Sequence, residues 1–165
     1  MLDRVGTRIE HVAHGVIDVN LDGEFADRLV EIDDELMKVI ATYTPSQGAV
    51  EGLFFSKNAQ SAAKLGHARG VILLRLARAS IPTFEYAPAL VKRTVAGKGA
   101  ADKQQIAMVV TAILRLPSPP RSDAADALAI GLTHLNVASF QSAMLAAGAP
   151  SKPRPVRRGR KAGLP

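Results

Sequence analysis

RSDAADALAIGLTHL, Arg121 to Leu135, is an alanine- and leucine-rich run of the kind that folds as a core helix. It nevertheless carries Asp123 and Asp126 three residues apart, which a helix places on one face. One such acid is an ordinary helix start, with Ser122 or Asp123 capping the first turn and Asp126 answering the helix dipole. Two are harder to absorb, because like charges on one face repel unless something positive sits between them. The small Ala124, Ala125 and Ala127 let that face approach another element closely.

Residues 101–115 and 122–147 read as two helices parted by the rigid LPSPP turn. Ahead of them IPTFEY reads as a strand. It follows a helix over 58–79 that is apolar on most of its circumference and is broken by Pro82. Ala49 to Phe55, AVEGLFF, reads as a buried strand. Phe25, Leu29, Ile32, Leu36, Ile40 and Tyr43 fall at helical spacing and predict an amphipathic helix with its Glu and Asp residues outward, ended by Pro45 and Ser46. Arg8 to Val19 alternates apolar and polar around His14-Gly15 and reads as two short strands. Strand–helix–strand–helix order implies parallel strands joined by right-handed crossovers, an α/β fold.

With 165 residues, 47% of them hydrophobic, the chain suffices for one domain. No apolar run approaches the ~20 residues that span a bilayer and no signal peptide is visible, so the expectation is a cytoplasmic protein with no membrane partner. The absence of cysteine excludes a disulfide framework and thiolate metal sites. The net charge of +6 resides wholly in residues 151–165, whereas residues 1–51 hold 4 bases against 11 acids and residues 52–150 hold 11 against 4. That polarity points to a polyanionic partner on one side. The folded domain is expected over residues 1–147, with 148–165 a basic, disordered tail.

Glu51 is the third acid of interest. Its strand reads as apolar on both faces, where a lone carboxylate is costly unless paired or metal-bound; a position at the strand's solvated end is the other reading. A strand Glu and a helical Asp pair make an oxygen-rich site suited to Mg²⁺ or Mn²⁺, and two such ions about 4 Å apart serve phosphodiester hydrolysis. Other chemistries fit less well. GKGAADK at 97–103 lacks the spacing of a phosphate-binding P-loop. His11, His14, His67 and His134 form no zinc pattern, and His134 reads as a core or surface histidine on the face of Asp123. Lys92, Arg93, Lys98 and Lys103 cluster around a Gly-rich loop that opens a helix, where phosphates can be held. Of Phe54 and Phe55, one reads as core and the other as a wedge against a DNA base.

VEGLFFSKNAQSAAKLGHARG (50–70), FEYAPALVKRTVAGKGAADKQQ (84–105) and SDAADALAIGLTH (122–134) resemble the RuvC family of Holliday junction resolvases. The resemblance runs from about Val5 to His134. It implies a ribonuclease H-like mixed sheet flanked by helices and a homodimer with two Mg²⁺ per subunit. The implied activity is paired symmetric nicking of four-way junction DNA in recombination and repair, alongside a branch-migration helicase complex. Carried over, Glu51, Asp123 and Asp126 match the metal-binding catalytic carboxylates. Lys92 and Lys103 match DNA-contacting lysines, and Phe54 matches the aromatic near the crossover. Family members begin with a strand bearing a GxDxG motif and a fourth carboxylate, whereas this chain starts with MLDRVGTRIEH, like the segment just after it. Three expectations follow: an active nuclease whose natural product extends upstream of Met1, a junction-binding protein impaired in catalysis because that Asp strand is absent, or a structural α/β module.

Overall fold

The computed structural model describes residues 1–52, 59–97 and 102–146. In chain order they form β1 (Leu2–Val5), β2 (Arg8–His11), α1 (Phe25–Tyr43), β3 (Gly48–Glu51), α2 (Ala59–Arg78), β4 (Thr83–Tyr86), α3 (Pro88–Ala96), α4 (Lys103–Leu114) and α5 (Ser122–Ala146). The tail expected at 148–165, and residues 53–55 of the expected AVEGLFF strand, lie outside the described residues.

β1 and β2 pair antiparallel, from Leu2 opposite His11 to Val5 opposite Arg8. Periodicity places two strands within Arg8–Val19; the structure puts the hairpin earlier and gives residues 12–20 no strand. Gly6 is the reason. At φ 62 it takes the left-handed conformation that a two-residue hairpin loop demands, so the chain reverses there and not at His14-Gly15.

β3 and β4 pair in parallel, from Gly48 opposite Thr83 to Glu51 opposite Tyr86, with α2 as the expected crossover. A Cβ on Gly48 would lie 2.9 Å from Leu76 Cδ1, so glycine lets α2 pack directly on the strand. α1 ends at Thr44, which turns left-handed at φ 42 and returns its N–H to the Ile40 carbonyl. Its acids are not all outward. Asp33 turns to α2 and accepts hydrogen bonds from Arg75 Nε, at 2.6 Å, and Nη2. The guanidinium holds the Asp33 carboxyl below the usual carboxylate range.

The core lies where α3, α4 and α5 meet: Val91, Val95, Ile106, Val110, Leu114, Leu128 and Leu132 are all buried. α3 has no counterpart among the predicted helices. Pro88 at its first turn and left-handed Gly97 at its end frame it. The described strands form two separate pairs, one antiparallel and one parallel. A cleft of about 1370 Å³ opens between them, walled by Leu2 of β1, Val39 of α1, Ala49 and Val50 of β3 and Leu128 of α5. Among the described residues no helix is long and apolar enough to cross a membrane.

Candidate functional site

The start of α5 meets the segment that precedes α1. Arg121, just before it, donates two hydrogen bonds to Asp18, at 2.7 and 2.9 Å. These bonds hold the Asp18 carboxyl below its ordinary range. The first turns then divide by size and charge. Ala124 and Ala125 are buried against the core, while Asp123 is exposed and Asp126 partly so. The small residues thus let the helix pack closely and leave both carboxylates at its rim.

α4 begins opposite. The Asp102 side chain accepts from the Gln105 backbone N–H at 2.8 Å, and the Gln105 side chain accepts from the Asp102 N–H, a reciprocal cap that fixes the helix start. Lys103 is the first residue of that helix, and its Nζ lies 3.6 Å from Asp126 Oδ2. The structure therefore brings a predicted DNA-contacting lysine against a predicted metal ligand.

Glu51 is the last residue of β3 and is exposed, so it occupies the solvated end of its strand. Its backbone is clamped: Arg69 donates through Nη1 to the Glu51 carbonyl and pairs through Nη2 with Glu85 at 2.7 Å. Lys92 sits on α3 next to buried Val91. Phe54 and Lys98 lie outside the described residues. Among the described residues, no three carboxylates or imidazoles lie close enough together to hold a metal ion. The donor chemistry of Glu51, Asp123 and Asp126, all carboxylate oxygen, fits a hard divalent cation; the ligands assembled do not close a shell around one.

Further along α5, His134 is buried. Its Nδ1 lies 2.8 Å from the Tyr86 hydroxyl and its Nε2 2.7 Å from Gln47 Oε1. Burial pushes the imidazole's pKa down and the Tyr86 phenol's up, which keeps both groups neutral near pH 7. Of the two positions expected for this histidine, the core is the one it takes. Its partners, 48 and 87 residues away in sequence, leave no local signal.

The family model described as crossover junction endodeoxyribonuclease RuvC matches residues 1–134. A protein of that name from Sorangium cellulosum is 66% identical over 163 residues, 96% of this chain and 91% of its own length. Another, from Saccharophagus degradans, is 41% identical over 160 residues, covering 97% and 89% of the two chains. Among solved structures, T. thermophilus RuvC in complex with Holliday junction substrate superposes with a TM-score of 0.78 at 33% identity, covering 84% of this chain and 86% of that one. A second Thermus thermophilus RuvC structure gives 0.74 at 32% identity, covering 85% and 86%.

Proposed function

The chain belongs to the RuvC family of crossover junction endodeoxyribonucleases, with the ribonuclease H-like fold, and from that premise we propose how its residues resolve Holliday junctions. Glu51, Asp123 and Asp126 are the catalytic carboxylates, and with junction DNA bound they would hold divalent cation, Mg²⁺ by preference and two per subunit. A cation bound there supplies water activation and stabilisation of the leaving oxygen. The protein's own part is to present carboxylates on an anchored strand and an anchored helix, and to neutralise the phosphates that approach them. Lys103 and Lys92 do the latter, with Phe54 acting at the crossover.

The observation that carries this reading is the meeting of Lys103 and Asp126 at the rim between α4 and α5. A phosphodiester drawn to that lysine arrives beside the carboxylate. The acting form is a homodimer, since a four-way junction offers two equivalent strands for paired nicks. Leu65 and Leu74 on α2 and Val30 on α1, each more than half exposed, supply apolar surface for a second copy. Such an enzyme acts with a branch-migration helicase on chromosomal DNA in the cytoplasm.

The test is to replace Asp123 or Asp126 by Asn in the full polypeptide and assay synthetic four-way junctions. Nicking is expected to vanish while junction binding persists, because affinity comes mainly from phosphate contacts. Normal nicking by both variants would overturn the carboxylate assignment. Binding without nicking by the unaltered protein would leave a junction-binding role instead.

A further inference from the structure

We propose that His134 is a positioning residue for the reaction: it sets α5, and with it Asp123 and Asp126, against the strand that carries Glu51. The inference rests on those carboxylates being the reactive set. His134 is 6% exposed, and both ring nitrogens are engaged. The Gln47 amide oxygen can only accept, so Nε2 carries the proton and Nδ1 accepts from the Tyr86 hydroxyl. The Phe84 ring packs beside the imidazole, 4.8 Å away centroid to centroid.

These partners are not arbitrary. Gln47 immediately precedes β3, whose last residue is Glu51, and Tyr86 is the residue paired with Glu51 in the parallel ladder. One side chain of α5 is therefore bonded to the start of the Glu51 strand and to Glu51's own cross-strand neighbour. Apolar packing is non-directional and allows a helix to roll or tilt, whereas two hydrogen bonds at fixed angles do not. Asp123 lies eleven residues back along α5, about 16 Å by helical rise and only ~20° around the axis from His134. At that lever arm a tilt of about 5° moves Asp123 by ~1.4 Å, and a misplacement of about 1 Å can cost 10²-fold in rate.

The test measures kcat and KM for four-way junction cleavage by the full polypeptide carrying Tyr86→Phe, His134→Gln or His134→Ala, with Asp126→Asn as reference and melting temperature as the check on folding. Tyr86→Phe keeps the ring in place and removes one bond to His134. We expect it to lower kcat several-fold and His134→Ala about ten-fold or more, with KM changed less than about two-fold. His134→Gln, which restores one donor and one acceptor, should recover part of the loss. A wild-type kcat in Tyr86→Phe, or a raised KM with unchanged kcat, overturns the inference even if melting temperatures fall, because a purely structural histidine would show that pattern. If His134→Ala fails to fold, Tyr86→Phe decides by the same criterion. Should Asp126→Asn nick normally, the carboxylate reading fails and takes this inference with it. An inactive Asp126→Asn beside fully active Tyr86→Phe removes the positioning role alone.

Discussion

Replacing Lys103 by Ala separates stability from recognition. In the folded protein this lysine is 73% exposed and faces Asp126, 45% exposed, across 3.6 Å. An ion pair so open to solvent contributes no more than about 1 kcal/mol. In a domain of this size 1 kcal/mol corresponds to a melting shift of roughly 2–4 °C, which sets the upper bound for the variant. Binding should respond differently. Each phosphate contact contributes about −0.9 to the slope of log K against log salt, so the variant's slope should be shallower by about 0.9 for each subunit engaged. Between 50 and 200 mM salt, a four-fold change, the affinity ratio of wild type to variant then shifts by about 3.5-fold per contact. Fluorescence anisotropy on a labelled four-way junction across that range, with calorimetric melting of the same preparations, reads both quantities. A slope equal to wild type would refute the phosphate contact. A melting loss well beyond 4 °C would show that the lysine's main role lies in the fold.

Leu74→Lys on the exposed apolar face of α2 should convert a dimer to monomers in sedimentation equilibrium; an unchanged mass would place the dimer contact elsewhere. A strand-forming segment fused ahead of Met1, apolar toward α1 and α5, should enter the cleft and pair with the edges of β1 and β3 that no other described strand takes. With about four backbone hydrogen bonds near 1 kcal/mol each, the melting temperature should rise by about 8 °C or more. Equal melting with and without the segment would show that the cleft is not a strand site.

What the sequence discloses depends on how local each signal is. α1 is legible because Phe25, Leu29, Ile32, Leu36, Ile40 and Tyr43 repeat at helical spacing within a single element. The first hairpin is misplaced by periodicity, because Gly6 sets the reversal through backbone conformation and not through the apolar pattern. α3 escapes notice because its helical part, PALVKRTVA, is too short for the pattern to declare itself. The candidate carboxylates stand out by chemistry alone, since acids in apolar elements need a reason to be there. Their surroundings do not. The Lys103–Asp126 contact, the Arg69 clamp on Glu51 and the Gln47–His134–Tyr86 chain join distant elements, and only the folded chain shows them.

Paired cutting of four-way junctions is read by mapping nicks on a fixed junction with each of its four strands labelled in turn, in Mg²⁺, alongside a linear duplex of the same sequence. Nicks are expected on two opposing strands at symmetric positions, with none in the duplex. Equal cutting of the duplex, or folded protein that binds the junction and cuts none of its strands, would contradict paired cutting.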